Sequence, residues 1–315
     1  MTRAFIFPGQ GSQAIGMGKA LADAFAPARD VFQEVDDALS QKLSRLMWEG
    51  PESDLVLTEN AQPAIMVASI AVIRVLQRGA RLDLAKHARL VAGHSLGEYS
   101  ALCAVGAFTL ADTARLLKAR GQAMQAAVPV GEGGMSALLG AEIEQAEELA
   151  KECAASTGGV CVVANDNAPG QVVISGSKAA IDKAPEIAKA KGIKRAMALN
   201  VSAPFHSPLM QPAADKMRDV LGAITIRPPS TPVVANVTAA EVSEPDTIRR
   251  LLVEQVTARV RWRESVLAFR GLGVETTVEA GRNKVLTGMV KRIDKDLANV
   301  TLDSAADIEA FAKTL

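Results

Sequence analysis

Aromatic residues are scarce in this chain: its 315 residues include eight phenylalanines, two tryptophans and one tyrosine. A core of that composition must be packed from alanine, valine, leucine, isoleucine and methionine. Neither sign of charge is in excess, with 35 basic and 35 acidic side chains, which argues against bulk binding to nucleic acid or a membrane surface. Cys103, Cys153 and Cys161 have no CxxC spacing and leave an odd thiol, which disfavours a disulfide framework and a zinc site and fits reducing surroundings. The N-terminal apolar run stops at Pro8, too short for a signal peptide, and no later stretch reads as the roughly 20 apolar residues of a membrane span. A cytoplasmic protein is expected. Histidine is rare too, with three copies.

What is present is apolar bulk, 49% of the chain, enough for one large domain or a domain carrying an insertion. AFIF (4–7) reads as a short buried strand ended by Pro-Gly, helical patterns follow through 17–40 and 61–79, and RLVAG is the next strand. Strands alternating with helices predict a mostly parallel sheet covered on both faces. Residues 133–199 change pattern. GGMSALLG, a helix over 142–155, GVCVVAN, the turn DNAPG, QVVISG, a helix over 177–191 and KRAMAL give the order β-α-β-β-α-β of a ferredoxin-like unit. The α/β pattern then resumes with PVVANV, helices near 245–256 and 263–271, VETTVEA and a last helix over 283–293. The expected division is a large domain of residues 1–130 and 200–315, with 131–199 inserted.

Gly93-His94-Ser95-Leu96-Gly97 fits G-x-S-x-G between a strand and a helix. Small flanking residues permit the tight turn that exposes a serine oxygen, and the next backbone N–H, that of Leu96, points where an oxyanion would form. A fortuitous Gly/Ser turn is the bland alternative. A serine nucleophile needs a base. His94 adjoins Ser95 at the turn and projects away from it. His87 precedes the strand, on the order of 20 Å from Ser95 if the chain between is extended. Elimination leaves His206, in a loop flanked by two prolines. No Asp or Glu announces itself as its orienting partner; a backbone carbonyl or an amide could serve.

In LADTARLLKARGQAM (110–124), Leu110, Leu116, Leu117 and Met124 share one helical face, and Arg120 falls within about 40° of its centre. A guanidinium against the core needs an anion or several acceptors. It could be a structural ion pair, a snorkelling side chain, or a fork for a substrate carboxylate.

Several motifs then fall in a familiar order: FPGQGSQ (7–13), GMG (16–18), TENAQPA (58–64), AGHSLGEYSAL (92–102), KARGQAM (118–124), ANDNAPGQVVISG (164–176) and VSAPFHSPLM (201–210). Along essentially its whole length the chain resembles the malonyl-CoA:acyl-carrier-protein transacylases of fatty-acid synthesis and the related acyltransferase domains of polyketide synthases. The resemblance implies an α/β-hydrolase-like core with an inserted ferredoxin-like subdomain. It implies Ser95 as the acylated nucleophile, His206 as its base, and Arg120 as the grip on the malonyl carboxylate. The backbone N–H of Gln10 would join that of Leu96 around the oxyanion, and the Gln255 carbonyl would orient His206. Gln62 and Asn165 match positions near the family's site. Phe205 and Leu96 match the malonyl-selecting pattern. The family often reads Q-L-T-S-P-V-R-W where this chain has Val256, Ala258 and Arg259 at three of those positions, a difference that bears on loop stiffness.

The chemistry so implied is ping-pong transfer of malonyl from malonyl-CoA to the phosphopantetheine thiol of acyl carrier protein, with no metal and no cofactor, by a monomer. A serine esterase or thioesterase on the same core is the rival; it requires an acid partner for His206 and no buried cation. A silent module that binds carrier proteins is a second. Lys189, Lys191, Lys194 and Arg195, and separately Arg259, Arg261 and Arg263, are candidate basic faces for an acidic carrier, with solvated surface charge as the ordinary explanation.

Overall fold

The near-continuous apolar run of β1 (Arg3–Phe7) suits a strand covered on both faces, and four of its five residues are buried in the middle of a sheet. The structure, a computed structural model, describes residues 2–201 and 203–315. Further strands are β2 (Leu90–Gly93), β3 (Gly133–Leu139), β4 (Cys161–Ala168), β5 (Gln171–Ser177), β6 (Arg195–Ala198), β7 (Val233–Val234), β8 (Glu241–Val242), β9 (Thr276–Ala280) and β10 (Ala298–Leu302). The larger sheet runs β10-β9-β1-β2-β7-β8, parallel except for β8. In-register pairing of Phe7 with Gly93 sets PGQ and HSL side by side at the carboxyl ends of β1 and β2. Open α/β sheets bind their ligands at such strand ends.

Helix Thr58–Gly79, apolar almost all round, lies against helices Ala26–Leu39 and Leu110–Ala126. Among the described residues this is the one helix long and apolar enough to cross a membrane, and 89% of its apolar window is buried within the protein. A helix hydrophobic on all sides is a core helix in this setting.

The second sheet, β4-β5-β3-β6, is antiparallel throughout and is covered by helices Ile143–Thr157 and Lys178–Ala190, in the β-α-β-β-α-β order expected. It has its own core, centred on Leu138, Leu149, Ile174 and Ile181. The asparagine-rich stretch expected to be a turn instead continues β4 to Ala168, and only Pro169 and Gly170 turn the chain. Low strand propensity is overridden by pairing on the other edge. Asp166 N donates to Val260 O at 3.0 Å and Val260 N donates to Ala164 O at 2.8 Å, with register shifts flanking the bridge. The chain also continues past the helix taken as its last (observed at Val285–Ile293), adding β10 and helix Ala305–Ala312.

Candidate active site

Ser95 stands at the strand-to-helix turn after β2 with φ 53° and ψ −112°, a conformation that costs a non-glycine residue about 1–3 kcal/mol. The flanking glycines make the turn possible. A Cβ on Gly93 would lie 1.9 Å from the Gly97 carbonyl, and one on Gly97 would lie 2.2 Å from Phe7 O. Asn236, just after β7, straps both sides. Its Oδ1 accepts from Ser95 N at 2.7 Å and its Nδ2 donates to Gly93 O at 2.6 Å.

His206, also at a positive φ of 55°, is buried and its Nε2 lies 2.8 Å from Ser95 Oγ. Its Nδ1 faces two carbonyls, Gln255 O at 2.9 Å and Ala258 O at 3.2 Å. Carbonyls only accept, so Nδ1 carries the proton and Nε2 presents a lone pair to the serine hydroxyl. Burial, reinforced by the Arg120 charge, pushes the imidazole down to about 3, so it is neutral throughout the ordinary pH range. Neither of the other histidines bonds the serine hydroxyl, although His94 lines the same cavity. His94 turns its Nε2 to Asn167 Oδ1 at 2.8 Å, and His87 bonds Asp83 on the far side of β2.

Arg120 projects from helix Leu110–Ala126 and is 1% exposed. Its Nη1 donates to Gln62 Oε1 at 2.7 Å, and its Nη2 donates to Gln255 Oε1 at 3.0 Å and Ser95 Oγ at 3.1 Å. The guanidinium lies 5.6 Å from the Tyr99 ring centroid. All three acceptors are neutral oxygens, Nε has no partner, and among the described residues no ion pair includes Arg120. Of the three possibilities left by the helical wheel, neither an internal ion pair nor a side chain reaching solvent fits. Burial lowers the affinity of Arg120 for its proton, yet a guanidinium stays charged in proteins.

A cavity of about 390 Å³ opens over this group, lined among others by Gln10, Gln62, Ser95, Arg120, Asn165 and His206. Ser95, His206, Arg120, Gln62 and Gln255 form one hydrogen-bonded set. Gln10 and Asn165 line the cavity without joining it; the Gln10 amide donates instead to Thr58 Oγ1 at 3.0 Å. The Leu96 side chain is buried in the core. Among the described residues, the backbone N–H groups of Gln10 and Leu96 have no hydrogen-bond partner, which leaves two donors free beside the serine. Phe205, Met124 and Met135 supply apolar wall.

Sequence reasoning missed Asn236, Glu98 and the side chain of Gln255. The Gln255 Nε2 donates to Ser95 O at 3.0 Å and Glu98 Oε2 at 2.8 Å, so the residue serves through its amide as well as its carbonyl. The available signal was polarity in apolar surroundings: Asn236 ends PVVA, and Glu98 precedes YSALCA. Arg259, Arg261 and Arg263, considered as a basic face, are paired with Glu147, Glu264 and Asp166 respectively.

Residues 4–307 match the model of the acyl transferase domain family. The chain is 43% identical over 313 residues to the malonyl CoA-acyl carrier protein transacylase of Bacillus subtilis strain 168, covering 99% of this chain and 96% of that protein. Among solved structures, the acyl-carrier-protein-S-malonyltransferase of Bartonella henselae superposes with a TM-score of 0.96 at 54% identity, covering 100% of this chain and 99% of that one. A malonyl-transacylase in complex with a type II polyketide synthase acyl-carrier protein superposes with a TM-score of 0.95 at 41% identity, covering 100% of both chains.

Proposed function

The chain belongs to the acyl transferase domain family, and from that premise we propose that it carries malonyl from malonyl-CoA, by way of Ser95, to the phosphopantetheine thiol of acyl carrier protein. The observation that carries this reading is the Arg120 guanidinium, buried, in no ion pair among the described residues, and 3.1 Å from the serine oxygen. A free acyl carboxylate is the group that matches it, by two parallel charge-assisted hydrogen bonds.

His206 Nε2 takes the Ser95 hydroxyl proton while Oγ attacks the thioester carbonyl. Negative charge builds on the former carbonyl oxygen, within reach of the Leu96 and Gln10 amides. Collapse breaks the C–S bond, and the proton on His206 passes to the departing CoA sulfur. The malonyl-serine ester then meets the carrier thiol, which gives its proton to His206, attacks the ester, and restores the Ser95 hydroxyl as the new thioester forms. The chemistry asks for no metal or redox group. Three unpaired thiols suit the cytoplasmic setting proposed for it. The hydrolase rival asks for an acid behind His206 and no buried cation. Two carbonyls stand behind the ring and a cation stands beside the serine, which favours transfer.

The test is intact mass after mixing with malonyl-CoA. One malonyl adduct should form on the Ser95 peptide and disappear on adding carrier protein bearing its phosphopantetheine arm. An adduct persisting in Ser95→Ala, or hydrolysis outrunning transfer, contradicts the reading.

A further inference from the structure

One buried carboxylate beneath the serine takes no part in the steps above. Glu98, on the first turn of helix Leu96–Ala104, is 2% exposed. Its Oε2 accepts from Asn236 N at 3.0 Å and from Gln255 Nε2 at 2.8 Å. Both donors are neutral and both bonds fall on one oxygen, so the other can carry a proton without losing either. The carboxylate also fixes the Gln255 amide. With the amide nitrogen facing Glu98, its oxygen faces Arg120, which donates to it at 3.0 Å. A buried acid and a buried cation are thereby linked through one amide, with no direct ion pair.

The ionisable groups around Glu98 are few. Arg120 faces it from helix Leu110–Ala126, Tyr99 is its neighbour on its own helix, and neutral His206 lies across the serine. Strands β2 and β7 carry no ionisable residue, and β1 carries only Arg3, at its far end. Arg120 is the cation acting on it; helix Thr58–Gly79, packed against the Glu98 helix, carries its charges Glu59, Arg74 and Arg78 toward its two ends.

We propose that Glu98 is the counter-charge of the empty acyl site and takes up a proton when a malonyl carboxylate settles on Arg120. The proton comes from solvent and forms an O–H bond on Glu98; no other bond changes. An arriving anion cancels the positive charge that keeps Glu98 ionised, and a second uncompensated carboxylate near the first is unfavourable in a dry site. Burial already pushes this carboxyl up to about 7, with Arg120 pulling the other way. Glu98 is thus a positioning residue whose charge state follows the occupant of the site. The proposal rests on the reading of Arg120 as the carboxylate grip.

The experiment is calorimetric titration of Ser95→Ala with malonyl-CoA and with acetyl-CoA, in buffers of different ionisation heat near pH 7. The two ligands share every CoA phosphate, so the difference between them isolates the acyl carboxylate. Malonyl-CoA should draw in more protons than acetyl-CoA. Its affinity should fall by up to about tenfold per pH unit above pH 7 once the acetyl-CoA trend is subtracted. Adding Glu98→Gln, which can keep both accepted hydrogen bonds, should remove the excess. Equal uptake from the two ligands in Ser95→Ala overturns the proposal whether or not the double variant folds. Excess uptake surviving in Glu98→Gln also overturns it and moves the proton to His206. Absence of any malonyl preference in Ser95→Ala overturns the reading of Arg120, and this proposal with it.

Discussion

At the residue scale, Ser95 Oγ lies between a neutral imidazole and a guanidinium, and each shapes the other. Because burial and Arg120 together hold His206 near 3, a group titrating at the usual histidine pH should be missing from the rate profile. The expected kcat/KM for malonyl transfer shows no histidine-like acid limb between about pH 6 and 7, the reference range for that side chain. Removing Arg120 removes one cause of the depression, so the acid limb for acetyl transfer in Arg120→Ala should move upward in pH. A limb that stays in place or moves down contradicts the coupling. Asn236 makes a separate prediction. Asn236→Ala leaves Ser95 N and Gly93 O without partners at a strained turn, at about 1–3 kcal/mol for each buried group. Urea unfolding should register that loss, and acylation measured where the variant is still folded should fall further. The serine was legible from G-x-S-x-G and the histidine by elimination, because each depends on local sequence or on scarcity. Asn236 and Glu98 were not, since they join the serine turn to positions 138–143 residues away and follow no periodicity.

At the element scale, the β4 edge is bound to the segment that presents carbonyls to His206. Ala164 and Asp166 bracket Val260, and Arg263 Nε donates to Asp166 Oδ2 at 3.0 Å. The Asp166 side chain is 2% exposed and burial raises its pKa, against the pull of Arg263. Arg263→Ala should therefore strand a buried acid and destabilise by about 3–5 kcal/mol, measured by urea unfolding. Arg250→Ala, which breaks an exposed pair with Glu254, should cost no more than about 1 kcal/mol. Equal costs would contradict the role assigned to the bridge. This link was invisible in the sequence, where NDN reads as turn chemistry and only pairing with β5 on one side and the Val260 bridge on the other make it extended. The alternation of strand and helix elsewhere was legible because apolar periodicity follows burial. The strand ANVTL was missed because it is an edge strand, half-exposed, with polar Asn299 and Thr301 on either side of Val300.

At the scale of the whole molecule, a chain with zero net charge still carries an uneven surface. Among the described residues, Lys189, Lys194 and Arg195 at one end of the antiparallel sheet are exposed and enter no ion pair, whereas Lys191 pairs with Glu152. Reversing Lys194 and Arg195 to glutamate should raise KM for an acidic carrier protein and leave KM for malonyl-CoA unchanged; equal effects on both would remove this face from carrier recognition. The cavity beside Ser95 is lined by Met135 and Asn165 of the antiparallel sheet and carries the Arg120 charge. The most direct measurement is the ratio of kcat/KM for malonyl-CoA over acetyl-CoA in the wild-type protein and in Arg120→Ala. Loss of a charge-assisted pair worth about 1.5–3 kcal/mol predicts a fall in that ratio of roughly ten- to a hundredfold, with acetyl transfer kept or increased. An unchanged ratio would contradict the account.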